Sequence, residues 1–483
     1  MSKLIFEKSV VGRKGYTLPK LDVPTAKDGS IPSKFLRKDD ARLPEVSEIE
    51  VARHFLNLSQ KNFNIEKGMY PLGSCTMKYN PKINEKVAGM AGYAGMHPML
   101  DGQYAQGALQ VMFELGEQLK EITGLPGVSL QPAAGSQGEL TGIYMIKAYH
   151  EDRNDTARDT ILVPDSSHGT NPASAAIAGY KVDTIKTNED GGLDIEHLKS
   201  KVGPHVAGFM ITNPSTLGIF ERRIEEITKV IRGCGGLLYM DGANFNALLS
   251  LARPGDMDFD CVHINLHKTF STPHGGGGPG AGPVCVSDKL IPYLPVPQIE
   301  KNGDEYKLNF DVPKTIGKLH SFFGNFGVLV RAYTYIRMHG ANGLRRISEN
   351  AIINANYIFA NIKDYYDFPF DEYCMHEFIL SGNRQKKLGV LTKDIGKRLL
   401  DYGFHAPTVY FPLTVPESML IEPTETENKQ NLDAFSDAMI AIAKEAETNP
   451  ELVQNAPHTT ILRRLDDAQA ARNLNICWEG YRN

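Results

Sequence analysis

The sequence lacks long apolar runs, an excess of basic charge and closely spaced cysteines, and each absence excludes a class of protein. No apolar stretch reaches the ~18 residues of a membrane-spanning helix. The 52 Lys and Arg residues are outnumbered by 57 Asp and Glu residues, for a formal charge of −5. Such a balance provides no broad basic surface for nucleic acid. With 41% hydrophobic and 23% charged residues, the chain is expected to be an ordinary globular protein.

The six cysteines lie far apart and form no Cys-x-x-Cys pair. They are Cys75, Cys234, Cys261, Cys285, Cys374 and Cys477. Zinc sites and disulfide scaffolds need tighter spacing, so we expect reduced thiols in a cytoplasmic protein. Residues 1–14 mix charged and isolated apolar residues, so we expect no secretion signal there.

The length of 483 residues allows about two to four domains. The first forty-odd residues are rich in Pro, Lys and Gly, which predicts an extended arm. Whether that arm wraps a partner or is a solvated tail stays open. We predict an arm and helical segment over residues 1–95, a large domain over 96–330 and a smaller α+β domain over 331–483.

From about residue 105, helical and strand signals alternate. Apolar residues at helical spacing predict helices at 107–124, 138–153 and 221–231. Short apolar runs bounded by turn residues predict strands at 160–163, 206–211, 236–240, 261–266 and 283–286. Alternating strands and helices need crossover connections, so we predict an α/β fold with a mostly parallel sheet. Further helices are predicted at 322–339, 343–362 and 432–446, with strands at 377–380 and 408–411.

Four polar loops border these strands and should converge, because ligands bind at the carboxyl ends of parallel strands. In one loop Lys268 ends a predicted buried strand. Burial disfavours the charged form of its amine, so a lysine at this position is costly unless it has a function. Two interpretations of Lys268 are equally common. It could simply lie at the surface mouth of a loop, or it could be a functional lysine that forms a Schiff base. The glycines that follow, from Gly275 to Gly280, match Gly-x-Gly-x-x-Gly. A strand rather than a helix comes next, which argues against a dinucleotide site.

The other three loops supply an acid, an imidazole and a glycine-rich turn. Asp241 precedes Lys268 by about one strand–helix–strand unit, so their strands could be neighbours. An Asp facing a pyridine nitrogen keeps it protonated. His168 could stack on a flat ring. Residues 132–139 lead into the predicted helix at 138–153, where backbone N–H groups could cradle a phosphate. Each feature alone is commonly a turn or a cap. In this order they fit a pyridoxal-phosphate site better than any other cofactor site.

Longer motifs are spread along the chain. The most specific are Leu72-Gly73-Ser74-Cys75-Thr76-Met77-Lys78 and His267-Lys268-Thr269-Phe270-Ser271-Thr272-Pro273-His274. Others are His168-Gly169-Thr170-Asn171-Pro172-Ala173, Thr212-Asn213-Pro214-Ser215-Thr216-Leu217-Gly218 and Ile421-Glu422-Pro423-Thr424-Glu425. Together these motifs resemble the glycine cleavage system P-protein family. Within that family they resemble the second subunit of the form that is split into two subunits, and the resemblance covers nearly the whole chain.

The resemblance implies a fold-type-I pyridoxal-phosphate enzyme and assigns roles to matching positions. Lys268 would hold the cofactor, Asp241 would pair with its ring nitrogen and His168 would stack on the ring. These three form the expected catalytic set, and no metal is expected. Further cofactor-binding residues are Ser136, Gln137, Ala243, His267, Thr269 and Thr216. Ser136 stands where alanine is usual, and its hydroxyl can still donate to a phosphate.

The resemblance also implies the reaction and the partners. Glycine would lose its carboxylate as CO2, and its aminomethyl group would pass to the lipoyl disulfide of the carrier H-protein. The expected partners are the first P-protein subunit, with two copies of each subunit, and the lipoylated H-protein. We expect neither nucleic acid nor membrane as a partner.

Two other functions stay open. The first is another pyridoxal-phosphate enzyme, such as an aminotransferase or a cysteine desulfurase. A desulfurase needs a mobile cysteine after the lysine, and Cys285 in a predicted strand and Cys374 far away fit poorly. The second is a structural subunit without catalysis, against which the presence of Lys268 argues.

Two further features have competing interpretations. Cys75 is expected to be a buried or simply reduced thiol rather than a reactive one. The lysines at positions 61, 67, 78 and 82 predict a solvated face, with docking of substrate or carrier as the alternative.

Overall fold

The computed structural model describes residues 3–15, 17–27, 29–39, 41–97, 99–274, 280–319, 321, 323–370 and 373–476. Most of the glycine run after Lys268, and Cys477, lie outside these residues. The chain forms two compact units, Met1–Lys67 and Gly68–Asn483. Among the described helices, none combines the length and the apolar character needed to cross a bilayer.

The N-terminal unit contains one α-helix, α1 (Glu48–Ser59), among its described residues. Single 3-10 turns at Phe6–Lys8 and Ser33–Phe35 precede it. Helix α1 begins after Ser47, whose backbone N–H donates to Glu50 Oε2 at 2.9 Å. This contact satisfies a backbone donor at the start of the helix that would otherwise lack an intrahelical partner.

The second unit is built on a seven-stranded sheet in the order β1-β7-β6-β5-β4-β2-β3. Its strands are β1 (Gly127–Ser129), β2 (Thr160–Pro164), β3 (Lys181–Ile185), β4 (Val206–Thr212), β5 (Leu237–Gly242), β6 (Cys261–Ile264) and β7 (Val284–Val286). Strands β2 to β6 pair in parallel, and β7 is antiparallel to both of its neighbours. The predicted α/β fold with a mostly parallel sheet is confirmed.

Both faces of the sheet are covered, which explains why its strands are apolar at nearly every position. In β5, Leu238 and Met240 pack into one hydrophobic core. Leu237 and Tyr239 point the opposite way, into a second core. Strand β3 lies at the sheet edge with most of its residues partly exposed. Its mixture of Lys, Asp and Thr gives no apolar run, so the sequence did not predict it.

Eight helices of this region were found among the described residues. They are α2 (Lys82–Ala88), α3 (Ala91–Ala94), α4 (Gln106–Thr123), α5 (Gly135–Glu151), α6 (Thr170–Ile177), α7 (Ile195–Lys201), α8 (Ile224–Gly233) and α9 (Leu266–Thr269). Helix α4 packs into one core and α5 into the other. A hairpin of β8 (Gln298–Asn302) and β9 (Glu305–Asn309) follows the main sheet.

The C-terminal part begins with a long helical element, α10 (Phe326–Ile362). Gly340 interrupts it with φ of 60°, a left-handed conformation that glycine adopts without a steric penalty. The break lies between the two helices predicted there. Beyond it, strands β10 (Phe378–Ser381), β11 (Thr408–Val409) and β12 (Ser418–Ile421) form an antiparallel sheet with β12 at its centre.

Five further helices complete the described C-terminal part. They are α11 (Asn383–Lys386), α12 (Thr392–Asp401), α13 (Lys429–Thr448), α14 (Pro450–Gln454) and α15 (Asp467–Arg472). Helices α10, α12 and α13 share a hydrophobic core with the three-stranded sheet. This core is distinct from the two that cover the large sheet.

Replacing Gly142 by Ala should destabilise the large sheet, because α5 approaches β5 closely at this glycine. A Cβ atom at position 142 would lie 2.3 Å from a ring carbon of Tyr239 and 3.0 Å from the Cys261 sulfur. Overpacking of this kind costs about 1–3 kcal/mol. We therefore expect a lower thermal unfolding midpoint for Gly142→Ala.

The matched control is Gly107→Ala in α4. A Cβ at position 107 would meet no atom within 4 Å, so only the better helix propensity of alanine remains. This variant should be as stable as the unaltered chain or slightly more stable. Equal unfolding midpoints for the two variants would contradict the steric argument.

Candidate active site

A cavity of about 230 Å³ lies where the carboxyl ends of β4 and β5 meet the first turn of α5. All four loops predicted to converge contribute to it. Its lining residues are Ser74, Gly135, Ser136, Glu139, His168, Thr170, Thr212, Pro214, Thr216, Asp241, Ala243, Asn244, Asn265, Lys268, His376 and Glu377. The cavity thus combines the predicted loops with two segments that were not predicted to contribute.

Lys268 reaches the cavity from α9, a single turn that follows β6. The predicted strand ends two residues early, at Ile264, so the lysine sits on a short helix instead of a strand end. Its amine donates a hydrogen bond to the backbone carbonyl of Ser74 at 2.7 Å. This bond aims the half-buried side chain into the cavity.

Asp241 lies at the end of β5, the parallel neighbour of β6, as the spacing to Lys268 predicted. Its Oδ2 accepts from the Asn171 amide at 2.8 Å, and its Oδ1 accepts from the Ala243 N–H at 2.9 Å. Burial opposes ionisation, yet nearby His263 and these two donors hold the pKa of the Asp241 carboxyl below its usual value. The site therefore contains a buried carboxylate at neutral pH.

His168 lies in the loop before α6 and lines the cavity. Its Nδ1 lies 2.7 Å from the Thr170 hydroxyl and also accepts from the Thr170 backbone N–H at 3.2 Å. The ring packs edge-on against Phe411, with centroids 5.8 Å apart. Burial lowers the pKa of His168, although the charge of Asp241 opposes that shift. The imidazole is therefore neutral at neutral pH.

Three of the other predicted residues line the cavity: Ser136, Thr216 and Ala243. Three lie outside its lining: Gln137, His267 and Thr269. The side chains of these last three accept hydrogen bonds from backbone N–H groups. Gln137 Oε1 accepts from the Ala133 N–H at 2.7 Å. Thr269 Oγ1 accepts from the Phe245 N–H at 2.9 Å. His267 Nδ1 accepts from the Ala281 N–H at 3.3 Å.

Glu139 lines the cavity but is not among the residues predicted for the site. It points from α5 into the wall and is only 3% exposed. Burial, followed by the charge of Asp241, raises the pKa of its carboxyl to about 8. A glutamate that keeps its proton at neutral pH therefore lies beside the ionised Asp241. The only signal in the sequence was a charged residue on a helix face that is otherwise buried.

The loop Ser74–Thr76 is the second unpredicted part of the site. Ser74 and Thr76 both have left-handed backbone conformations, with φ of 64° and 49°, which are costly for residues other than glycine. Two buried glutamates hold the loop. Glu377 accepts from the Ser74 N–H at 2.6 Å, and Glu422 accepts from the Thr76 N–H at 3.1 Å. The Ser74 carbonyl that binds Lys268 is fixed in this way.

Cys75 lies at the centre of this loop. Burial raises the pKa of its thiol above the usual value, although Lys268 acts in the opposite direction. The thiol is therefore protonated at neutral pH and is a weak nucleophile. This half-buried, free thiol agrees with the expectation that Cys75 is simply reduced rather than reactive.

Among the described residues, one group could in principle hold a metal ion: His376, Glu377 and Glu422, whose ligand atoms lie within 4.8 Å of one another. Burial raises the pKa of both carboxyls. Each already accepts a backbone N–H from the Ser74–Thr76 loop. At least one of these two buried carboxyls therefore retains its proton at neutral pH.

Lys78 is buried, so the interpretation of the nearby lysines as a solvated face is wrong at this position. Its amine pairs with Glu425 at 2.8 Å, and the two side chains are 1% and 7% exposed. It also donates to Asn246 Oδ1 at 2.9 Å and to the Thr269 carbonyl at 2.7 Å. Lys78 therefore joins the lysine-bearing turn α9 to a segment that follows β12.

Comparison with known proteins agrees with this geometry. The sequence profile described as "Glycine cleavage system P-protein" matches residues 20–304, and "Glycine dehydrogenase, C-terminal domain" matches residues 347–463. The chain belongs to the glycine cleavage system P-protein family. A family relative from Chloroherpeton thalassium, "Probable glycine dehydrogenase (decarboxylating) subunit 2", is 60% identical over 98% of this chain and 97% of its own length. The resemblance inferred from the motifs is confirmed.

Solved structures support the fold of this P-protein family member. A crystal structure of glycine decarboxylase (P-protein) in inhibitor-bound form has a TM-score of 0.70 at 18% identity, covering 86% of this chain and 93% of that one. A cysteine desulfurase from Thermococcus onnurineus NA1 has a TM-score of 0.60 at 14% identity, covering 79% and 97%. At these identities the likeness concerns the fold alone, and the predicted fold-type-I class is confirmed.

Removing the Lys78 amine should destabilise the protein strongly. Lys78→Met deletes one partner of a buried ion pair and leaves Glu425 unpaired, a loss that costs about 3–5 kcal/mol. We expect a large drop in the unfolding midpoint. The control is Lys429→Met, which breaks a pair with Asp433 that is 69% and 39% exposed, and which should leave the midpoint unchanged. Similar midpoints for the two variants would contradict the role given to Lys78.

Proposed function

We propose that this chain is the pyridoxal-phosphate-bearing subunit of a glycine decarboxylase. It would release CO2 from glycine and transfer the remaining aminomethyl group to the lipoyl group of a carrier H-protein. One observation carries the proposal: Lys268, Asp241 and His168 line a single cavity in a chain of the P-protein family.

The residues around the cavity fit the phosphorylated pyridine cofactor. Thr212 Oγ1, Asn265 Oδ1 and both ring nitrogens of His376 are buried without a hydrogen-bond partner in the described part, and all three residues line the cavity. Buried polar atoms normally have partners, so this wall is suited to a polar ligand. The first turn of α5, with the Ser136 hydroxyl, offers N–H donors to a phosphate.

Each member of the expected catalytic set has a distinct task. Lys268 would hold the cofactor covalently, and the Ser74 carbonyl orients its amine. Asp241, ionised at neutral pH, would keep a proton on the pyridine nitrogen. His168 would support the ring with a neutral imidazole. When bound, the cofactor supplies an electron sink for the electron pair that the departing carboxylate leaves behind.

The remaining predicted residues would have two kinds of role, direct contact with the cofactor and support of the loops around it. Ser136, Thr216 and Ala243 line the cavity and would contact the cofactor. Gln137, His267 and Thr269 are bonded to neighbouring backbone atoms. From those positions they would hold the loops in place, and their direct contact with the cofactor remains a proposal.

The partners follow from the same proposal. The relative's name, subunit 2, is that of a protein with a partner subunit, and we propose two copies of each subunit together with a lipoylated H-protein. The N-terminal arm carries exposed apolar side chains at Leu18, Leu21 and Phe35, which supports contact of the arm with a partner. The division at residues 95 and 330 is retained as a proposed domain organisation.

A cytoplasmic location is likewise proposed. The five described cysteines are free thiols, as expected of a reducing compartment.

The same thiols argue against a desulfurase. Cys285 lies within β7, and burial raises its pKa to about 12, while burial raises the pKa of Cys374 to about 12 as well. Both cysteines are therefore buried and protonated, unlike a reactive thiolate nucleophile.

Borohydride reduction after incubation with pyridoxal phosphate should fix a pyridoxyl group on Lys268. Peptide mapping would identify the labelled residue. Lys268→Ala should lose the label, whereas Lys289→Ala, which removes a half-exposed lysine paired with Asp260, should keep it. Label on another lysine would refute the assignment. Absence of label on a folded chain would favour the structural-subunit alternative.

Asp241→Asn should lower the rate of glycine decarboxylation by about 100-fold. The neutral amide cannot balance a protonated pyridine nitrogen, and losing one partner of a buried charge pair costs about 3 kcal/mol. The assay would combine the chain with the first subunit and a lipoyl carrier, and measure CO2 release. Asp256→Asn, at an exposed position paired with Arg253, is the control and should be fully active. Full activity of Asp241→Asn would remove this residue from the mechanism.

A further inference from the structure

Three side chains form a continuous hydrogen-bonded chain in the cavity wall. Glu139 Oε1 lies 2.8 Å from the Thr170 hydroxyl oxygen, and that oxygen lies 2.7 Å from His168 Nδ1. The Thr170 backbone N–H also donates to Nδ1, at 3.2 Å. The second oxygen of Glu139 accepts a longer bond of 3.3 Å from the Ser174 hydroxyl. The Thr170 hydroxyl is thus the middle member of the chain.

The number of available protons limits how this chain can be satisfied. A backbone N–H can only donate, so Nδ1 is an acceptor and a neutral His168 carries its proton on Nε2. The Thr170 hydroxyl has one proton, which it gives to Nδ1. The contact between Thr170 and Glu139 then needs a proton from the carboxyl. A protonated Glu139 satisfies all three short contacts at once.

An ionised Glu139 reverses the chain. The Thr170 hydroxyl would then donate to the carboxylate, and its oxygen could only accept from His168. The ring would meet that requirement by carrying its proton on Nδ1, at the cost of the bond from the Thr170 N–H. Each charge state of Glu139 therefore matches a different tautomer of a neutral His168.

We propose that Glu139 is a positioning residue that sets the tautomer of His168 through the Thr170 hydroxyl. With Glu139 protonated, His168 is held as the Nε2–H tautomer; when Glu139 loses its proton, the ring shifts to Nδ1–H. The proposal concerns the same site as the proposed function, but it requires neither the cofactor nor the reaction.

The electrostatic surroundings agree with the protonated state at neutral pH. Glu139 on α5 faces Asp241 on β5, Lys268 on α9 and the hydroxyls of Thr170 and Ser174 on α6. Burial, followed by the Asp241 charge, raises its pKa to about 8, while the two hydroxyls and Lys268 act in the opposite direction. Because the pKa is raised, the protonated state prevails below about pH 8 and is lost as the pH rises through that value.

The test follows the tautomer directly in the full chain without cofactor. Ring ¹⁵N signals of histidine-labelled protein distinguish Nδ1–H from Nε2–H, and the signal missing in His168→Gln identifies His168. We expect Nε2–H near pH 7 and a shift toward Nδ1–H with an inflection near pH 8. A ring that keeps one tautomer across this range would overturn the proposal.

Three variants distinguish transmission through the Thr170 hydroxyl from a simple effect of the charge on Glu139. Glu139→Gln cannot ionise, so the inflection should vanish. Thr170→Val keeps the size of the side chain but removes the hydroxyl, so the inflection should vanish although Glu139 still titrates. Thr170→Ser restores the hydroxyl and should restore the inflection. If Thr170→Val showed the same inflection as the unaltered chain, the hydroxyl would not be needed to couple Glu139 to His168. That result would overturn the proposal.

The Thr170 variants provide a second test if Glu139→Gln fails to fold. Glu139 is buried, whereas Thr170 is only partly buried, so the Thr170 pair is the less disruptive route. Unfolding midpoints would verify that each variant is folded before its spectra are compared. Since the readout is the tautomer of an unloaded chain, its failure is distinguishable from failure to bind cofactor or to decarboxylate glycine.

Discussion

The buried ion pair between Lys78 and Glu425 is the interaction on which the active site depends most. Taking both charges out of water is costly, and the cost is offset only because the Lys78 amine has further partners on Asn246 and Thr269. Thr269 is the residue after Lys268, so the backbone beside Lys268 is fixed by this one ammonium group. Loops from three distant parts of the sequence meet there.

A similar arrangement operates on the opposite side of Lys268. The loop Ser74–Thr76 has two residues in left-handed conformations. Such backbone strain persists only where surrounding contacts hold the residues in place. Glu377 and Glu422 provide this by accepting the backbone N–H groups of the loop. The Ser74 carbonyl is then free to bind the lysine. Buried carboxyls thus shape the site as much as the residues that were expected to perform the chemistry.

The sequence allowed the large sheet and the central residues of the site to be predicted, because both follow from local patterns. Apolar runs marked the strands of the sheet interior, and parallel strands bring their following loops together whatever the details of packing. This is why Asp241, His168 and Lys268 could be placed near one another. The edge strand β3 and the three-residue strand β1 were missed, since neither has a distinctive apolar run.

The buried polar residues could not be predicted for a different reason. Nothing near Lys78 in the sequence indicates that its partner is Glu425, and the raised pKa of Glu139 depends on Asp241 from another strand. A lone lysine or glutamate is usually solvated, so local reasoning assigns it to the surface. Only the tertiary fold shows which of these charged residues are enclosed.

The contacts that fix Lys268 also constrain the order in which the protein can assemble. Ser74 meets Glu377 across 303 positions of the chain, and Thr76 meets Glu422 across 346. Contacts of such long sequence separation form late, because the intervening loop must first be closed. During synthesis the large sheet can form while residues beyond 370 are still missing. Lys268 is then already present, but the contacts that hold the Ser74–Thr76 loop beside it cannot form until Glu377 and Glu422 have been synthesised.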